Sequence, residues 1–233
     1  MIFRKLKVLT DDEIIRIVEG AFRILAATGC RFEDAACMDE LESIGCTVDR
    51  ETLVAKFPED VIFEALDSVP SMTPPDDLPK ARVAAANKGF ILDYPTRRMR
   101  RGTTDDAHKA VKLCNKLDNI TVASAGVIQE DVPPDAVEVF NIALLMKYSE
   151  KLFTQWVYNA DNVKYIFEMG KIFTGGESEL RESSVLSYML NSITPLRYPT
   201  TQLKIARMYA DLDLPIAIAS MTQSGSTSPA TLA

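Results

Sequence analysis

The pattern that narrows the possible folds furthest is a repeat of strand-like segments and amphipathic helices after residue 103. The strand-like segments cover 120–128, 152–158, 185–190 and 214–221, so their starts lie about 30 residues apart. The helices between them begin at Pro133-Pro134, Asp161-Asn162 and Pro199-Thr200. Strands that alternate with helices are typical of βαβ units around a parallel sheet. The repeat therefore predicts an α/β fold.

Glycine motifs indicate which α/β fold to expect. No strand-like segment is followed by G-x-G-x-x-G or G-x-x-x-x-G-K-[ST], and Gly175-Gly176 closes a helix rather than opening one. This disfavours a nucleotide-binding doubly wound sheet and favours a (β/α)8 TIM-type barrel. Such a barrel needs about 250 residues. We therefore expect 103–233 to be the first four βα units of a truncated barrel, or a half-barrel that dimerises to close its sheet.

Residues 1–80 are predicted to form a helical region that ends in a linker at 72–79. Thr10 and Glu13 fit a capping box, and two further helices are expected to start near Asp34 and Pro58. Residues 81–102 are predicted to hold a β-hairpin and a basic segment. Its strands, 83–86 and 90–94, flank an Asn-Lys-Gly turn. The four arginines within 97–101 form either a solvated face or a contact for an acidic partner or a phosphate tail.

Composition limits the functional classes. The chain has 26 basic and 33 acidic residues, a net charge of −7, whereas nucleic-acid binders are usually basic. It has no apolar run of about 18 residues, as a membrane span needs, and we expect no signal peptide. Its four cysteines are scattered, which favours the cytoplasm over a disulfide framework. His108 is the only histidine, which rules out a His-rich zinc site, and we expect no metal.

Several segments resemble one family. They are LDNI at 117–120, QEDVPP at 129–134, SITPLRY at 192–198, SGSTSPATLA at 224–233, and the opening helix–turn–helix at 10–48, which leads into IGCTVD at 44–49. In this order they resemble the trimethylamine methyltransferase family along essentially the whole chain. The resemblance implies a (β/α)8 barrel behind a helical N-terminal region.

The same resemblance implies a corrinoid-dependent methyltransferase. Such enzymes move a methyl group from a methylated amine, such as trimethylamine, or a quaternary amine, such as glycine betaine, to the cobalt of a separate corrinoid protein. We expect the corrinoid on that partner, none bound directly, and a homo-oligomer. Family members are about twice this length, and the pyrrolysine of the trimethylamine enzymes lies in the half that is missing here. The betaine branch lacks pyrrolysine, so the branch stays open.

Aromatic residues are the first candidates for the substrate site. A cationic methylammonium group is held by aromatic faces through cation–π attraction, worth about 0.5–2 kcal/mol each. In a barrel the site lies at the C-terminal ends of the strands. Trp156 and Tyr158, which alternation places on one face, and Tyr188 are the candidates there. Each of them could instead pack against a flanking helix.

Polar residues of the strand–helix loops complete the predicted site. Asn191, Ser192 and Thr194 are expected to line it. Arg197 is expected to contact a substrate carboxylate or the corrinoid, unless it forms an ion pair near the following helix.

Two further loops add polar candidates. Gln223 and Ser224 belong to a hydroxyl-rich loop that either cradles an anion at a helix start or forms a flexible turn. Glu130 is the best acidic candidate, with helix N-terminal charge as its alternative role.

Two other functional readings stay open. The chain could be a catalytically inactive fragment that only binds a partner or self-associates. It could also belong to another barrel enzyme, such as an aldolase. The aldolase is disfavoured because Lys151 lies at the start of its strand and no strand-like segment ends in lysine.

Overall fold

The structure is a computed structural model that describes residues 8–69, 83–84, 90–153, 156–183, 185–220, 222–228 and 230. The predicted linker at 72–79 lies outside these residues. The chain divides into two compact units. The first comprises 1–73, 191–203 and 220–233, and the second comprises 74–190 and 204–219. The sequence-based division at residues 80 and 102 stays a prediction.

The described elements are short. The helices are α1 (Asp11–Ala27), α2 (Ala35–Ser43), α3 (Glu59–Ser68), α4 (Thr104–Lys116), α5 (Val137–Tyr148), α6 (Val163–Thr174), α7 (Glu177–Ser183) and α8 (Thr200–Ala210). The strands are β1 (Cys30–Phe32), β2 (Thr47–Asp49), β3 (Val54–Lys56), β4 (Val83–Ala84), β5 (Phe90–Asp93), β6 (Arg98–Arg101), β7 (Ile120–Ala123), β8 (Leu152–Phe153), β9 (Tyr188–Ser192), β10 (Arg197–Tyr198) and β11 (Ile216–Ser220). Single 3-10 turns, Pro134–Ala136 and Ala160–Asn162, lead into α5 and α6.

The first unit confirms the three predicted N-terminal helices. The Thr10 side chain accepts from the Glu13 backbone, and the Glu13 carboxylate accepts from Thr10, which completes the capping box at α1. Asp34 caps α2 by accepting from the Ala36 backbone. Pro58 stands at the N-cap of α3, as its fixed φ allows.

The first unit also contains a four-stranded sheet that was not predicted. Its order is β10-β1-β3-β2; β1 is parallel to β10 and antiparallel to β3. Strands of two or three residues are too short to show a period of two in the sequence. The sheet packs on a core that contains Met38, Ala55 and Leu203.

The second unit shows the predicted alternation of strands and helices. Strand β7 lies between β4 and β8, and both pairings are parallel. Helices α4 and α5 cover β7 with a core of small and aliphatic side chains: Ala107, Val111, Cys114, Ala123, Ala125, Val127, Leu144 and Leu145. Of the predicted helix faces, Val163, Ile166, Phe167 and Gly170 are all buried in α6.

The described residues form a mixed α/β structure without a closed barrel. Their sheets have four, three, two and two strands, and β9 pairs with β11 in a separate two-stranded sheet. The predicted strands are longer than the observed ones; for example, β7 ends at Ala123 instead of residue 128, and the chain then turns at Gly126, whose φ is 75°. The α/β class is therefore found, while a TIM-type barrel is not established by these sheets.

The predicted hairpin turn at 87–89 lies outside the described residues. Strand β5 pairs with β6, so that Phe90 lies opposite Arg101 and Asp93 lies opposite Arg98. Strand β4 pairs with β7 instead. The turn at 94–97 closes the hairpin because the Asp93 carboxylate accepts from the Thr96 hydroxyl and Arg97 adopts a φ of 59°. The basic segment is therefore largely the second strand of the hairpin.

No helix in the described ranges combines the length and the apolar character that a membrane crossing requires.

Candidate functional site

Two of the predicted aromatic residues lie together in the second unit. The rings of Trp156 and Tyr158 are stacked, with centroids 6.2 Å apart and planes 19° apart. The two residues lie in the loop after β8, which ends at Phe153, and not in the longer strand that was predicted there. Tyr158 is 67% exposed and Trp156 is half-buried, so the pair lies at a surface.

Tyr188, the third predicted aromatic residue, is buried beside a tyrosine that was not predicted as a site residue. Its ring centroid lies 5.4 Å from that of Tyr209, whose ring makes an edge contact with Phe167 at 4.9 Å. Tyr188 is only 3% exposed, and its hydroxyl has no hydrogen-bond partner in the described part of the chain. Buried hydroxyl groups without a hydrogen-bond partner are uncommon in proteins.

A buried carboxylate, Glu138 on α5, connects these aromatic residues. Its Oε2 accepts from the Tyr158 backbone N–H at 2.8 Å, and its Oε1 accepts from the Asn159 N–H at 3.0 Å. The Asn162 side chain donates to Oε1 at 3.3 Å and to the Asp135 carbonyl at 2.7 Å. Glu138 therefore holds the loop that carries the stacked pair.

Burial favours the neutral, protonated forms of the acidic groups in this part of the structure. Burial raises the pKa of Glu138, although the hydrogen bonds from Tyr158, Asn159 and Asn162 oppose the change. Burial, reinforced by the negative charge of Glu138, also raises the pKa of Tyr158, and that of Tyr188 to about 12. Burial, followed by Tyr188 and Glu138, raises the pKa of Tyr209 as well.

No ion pair between described residues involves Glu138. We call Glu138, Trp156, Tyr158, Tyr188 and Tyr209 the aromatic–carboxylate cluster. It offers acids and aromatic rings but no basic counter-ion.

A second polar contact lies on the same helix. Asn141 is three residues after Glu138 on α5, and its Oδ1 accepts from the Gln129 side chain. All three residues are buried, and Gln129 Oε1 has no partner within the described residues. The core side of α5 is therefore polar over its first turns.

The predicted site residues Asn191, Ser192, Thr194 and Arg197 belong to the first unit. Arg197 Nε forms an ion pair with Glu33 Oε1 at 2.7 Å, and Thr200, the first residue of α8, donates from its hydroxyl to the Glu33 carbonyl. Hydrogen bonding from Arg197 lowers the pKa of Glu33. Asn191 donates its backbone N–H to Gln202 Oε1 at 2.9 Å. The structure thus places Arg197 in the ion-pair arrangement considered as the alternative.

The remaining predicted residues are spread over both units. Ser192 and Thr194 are half-buried, and the Thr194–Pro195 peptide is cis. Gln223 donates its N–H to Thr227 Oγ1 at 2.9 Å in a compact turn, in which Ser224 bridges Ser228.

Glu130 is exposed in the second unit. Its N–H bonds to the Gly102 carbonyl at 2.9 Å, while its carboxylate reaches none of the aromatic–carboxylate cluster through a hydrogen bond or ion pair within the described residues. Substrate roles for all these residues stay predictions.

Sequence reasoning missed Glu138, Asn141, Asn162 and Tyr209 as site residues. For two of them the sequence does hold a signal: Glu138 and Asn141 are polar residues, three positions apart, within the otherwise apolar segment VEVFNIALL. Within the described residues no group of three or more His, Cys, Asp or Glu side chains could hold a metal ion.

Comparison with known proteins identifies the family. A family model described as trimethylamine methyltransferase (MTTB) matches residues 1–233. The trimethylamine methyltransferase MttB of Desulfitobacterium hafniense (strain DSM 10664 / DCB-2) is 27% identical, over 96% of this chain and 47% of that protein. The glycine betaine methyltransferase of D. hafniense (strain Y51) is 26% identical, over 98% of this chain and 50% of that protein. The trimethylamine methyltransferase MttB of Methanosarcina thermophila is 26% identical, over 98% of this chain and 51% of that protein.

The chain thus spans about half the length of the curated relatives it matches. Relatives named for two different amines match it at nearly equal identity, so the comparison does not separate the two substrates. Because the family model matches every residue, the chain belongs to the trimethylamine methyltransferase family.

Proposed function

We propose that this chain is the methyl-donor-binding half of a methyltransferase that transfers a methyl group from a methylated amine to a corrinoid protein. The observation that carries the proposal is the family match over residues 1–233. In the full-length protein, the alternation of strands and helices from β7 onward would continue into a closed (β/α)8 barrel. The residues of this half would then bind and orient the amine.

The aromatic–carboxylate cluster suits a methylated ammonium ion. Such an ion is cationic but has bulky methyl groups, so it is held better by ring faces and a nearby negative charge than by directional hydrogen bonds. Trp156 and Tyr158 supply stacked rings at a surface, and Glu138 supplies the charge beneath their loop. Because no described basic side chain pairs with Glu138, its charge remains to attract a cation.

In the reaction, the amine leaves with the electron pair of the broken C–N bond. The corrinoid of a partner protein would supply, from cobalt(I), the electron pair that takes up the methyl group. The chain's own residues have to fix one methyl group in direction and exclude water. The amine leaves as a neutral base, so its attraction to Glu138 is weakest between cleavage of the C–N bond and the uptake of a proton from water.

The direct test uses the full-length protein, a corrinoid protein reduced to cobalt(I), and a panel of trimethylamine, dimethylamine and glycine betaine. The cobalt absorption spectrum reports methyl transfer. We expect transfer from at least one amine. Absence of transfer from every amine on the panel would contradict the proposal. The 233-residue chain assayed alone distinguishes an active half from an inactive fragment.

The site itself is tested by substitution. Tyr158→Ala should raise the KM for the amine by about 2- to 30-fold, the range of one cation–π contact, whereas Tyr158→Phe should retain most of the affinity. Tyr165→Ala is the matched control because Tyr165 is another exposed tyrosine of the second unit, 53% exposed on α6. Tetramethylammonium should inhibit the wild-type protein far better than its neutral isostere neopentane, and this preference should shrink in Tyr158→Ala.

A further inference from the structure

The hairpin β5–β6 has an unusual outer face. Phe90 and Leu92 alternate along β5 with the half-buried Ile91 and Asp93. Ile91 packs on the core of the second unit, so the apolar residues Phe90 and Leu92 point away from that core. They are 59% and 48% exposed. A solvent-facing strand surface normally carries polar side chains, whereas this one carries the apolar Phe90 and Leu92.

The opposite strand extends this surface. Across the hairpin Met99 lies beside Leu92 and Arg101 lies beside Phe90, and Met99 is 72% exposed. We call Phe90, Leu92, Met99 and Arg101 the outer hairpin face. Three neighbouring apolar side chains on a two-stranded ribbon expose more apolar area than scattered surface residues do, which is typical of an interaction site.

The charges around this face are positive. Arg100 is neutralised by a bidentate ion pair with Asp106, at 2.6 and 2.8 Å. Arg101, which lies on the outer hairpin face itself, forms no ion pair within the described ranges, whereas Arg98 lies opposite Asp93 on the other face of the hairpin. At the turn end of the hairpin, the Arg97 guanidinium lies 5.0 Å from the Tyr94 ring centre. On a chain whose net charge is −7, this makes a local basic rim.

We propose that the outer hairpin face docks a partner protein whose contact surface is apolar at its centre and acidic at its rim. Under the proposed function, on which this inference rests, that partner is the corrinoid protein that accepts the methyl group. Apolar contact would hold the complex together, while the arginines would steer the partner during association.

Other occupants fit the face less well. A second copy of the chain, related by a two-fold axis through this face, would bring Arg101 and its copy into one interface, and like charges oppose that contact. A membrane surface would favour apolar residues at the tip, but the turn at 94–97 is Tyr-Pro-Thr-Arg and the apolar side chains lie along the strands.

The test measures association of the full-length protein with the corrinoid protein by biolayer interferometry. The double variant Arg97→Glu/Arg101→Glu should slow association about tenfold at low salt and flatten its salt dependence. Leu92→Ser/Met99→Ser should raise Kd about tenfold or more, mainly through faster dissociation. Arg23→Glu and Leu113→Ser, which replace exposed residues of α1 and α4, are the matched controls and should bind as the wild type does.

Free cob(I)alamin used as methyl acceptor separates docking from chemistry. The hairpin variants should keep the wild-type rate with free cob(I)alamin and show a raised KM only for the corrinoid protein. Unchanged association in both double variants would overturn the inference, as would wild-type binding only to anionic vesicles or to itself. If no amine methylates either acceptor, the proposed function fails, while the association rates still decide the docking surface.

Discussion

Replacing Tyr188 by phenylalanine removes one buried hydroxyl and leaves the ring in place. The hydroxyl has no partner among the described residues, and Tyr188 is 3% exposed. Burying a hydroxyl without a hydrogen bond costs about 1–3 kcal/mol. The variant should recover part of that cost, so we expect the free energy of unfolding to rise by about 1–2 kcal/mol. For a chain of this size that corresponds to a Tm increase of about 2–8 °C.

Differential scanning calorimetry and urea unfolding at pH 7 measure this change. The urea m-value should stay constant, because the substitution alters no packing surface. Tyr165→Phe is the control: Tyr165 is 53% exposed, its hydroxyl can bond to water, and its loss should change stability by less than about 0.5 kcal/mol.

A lower Tm for Tyr188→Phe would refute the reasoning, because it would mean that the hydroxyl is hydrogen-bonded in the folded chain. The same variant also tests the site. If the hydroxyl faces the amine pocket, Tyr188→Phe combines higher stability with a higher KM for the amine. Retained KM together with higher stability would place the hydroxyl outside the pocket.

Three more substitutions test the fold. Asp106→Asn removes the carboxylate that pairs with Arg100 and caps α4, and should lower the free energy of unfolding by about 1–2 kcal/mol in urea. Gly102→Ala would bring a new Cβ within 2.6 Å of the Val127 Cβ and should lower it by about 1–3 kcal/mol. Glu138→Gln should reveal a pH dependence: the stability of the wild type relative to the variant should increase as the pH falls through the raised pKa of Glu138.

The two carboxyl groups predict opposite pH trends. Hydrogen bonding from Arg100 holds the pKa of Asp106 well below its ordinary value of 3.8, so its stabilising contribution is present above that value and is lost as the pH falls. Burial raises the pKa of Glu138 above 4.5, so its contribution is present at low pH and is lost as the pH rises through the folded-state pKa. Equal pH profiles for the wild type and Glu138→Gln would contradict the trend predicted for Glu138. The control for the Asp106 trend is Asp105→Asn, which changes an exposed carboxylate.

Local sequence rules predicted the elements that depend on neighbouring residues. The capping box at Thr10 satisfies backbone donors within three residues, and α1 begins where the pattern indicates. The same holds for the apolar face of α6. Such elements can be predicted from the sequence because the contacts that stabilise them lie within one helix or one turn.

Pairings between distant segments could not be predicted in the same way. Strand β1 pairs with β10, which brings Arg31 opposite Arg197 across more than 160 residues. Strand β5 pairs with β6 across the turn that the Asp93–Thr96 contact closes, while β4 pairs in parallel with β7, more than 30 residues further along the chain. A strand of only a few residues is too short for its sequence pattern to indicate which other strand it pairs with.

The residues that carry the candidate site were hidden for a further reason. Helical periodicity usually assigns polar residues to the solvent side of a helix, but Glu138 and Asn141 are buried. They are buried because Glu138 finds its donors 20 to 24 residues later, in the loop after β8. Those neutral donors offset only part of the cost of burying a charge, and no described cation supplies the rest. A cationic amine would supply it, which links the least predictable residue of the helix to the function proposed for the chain.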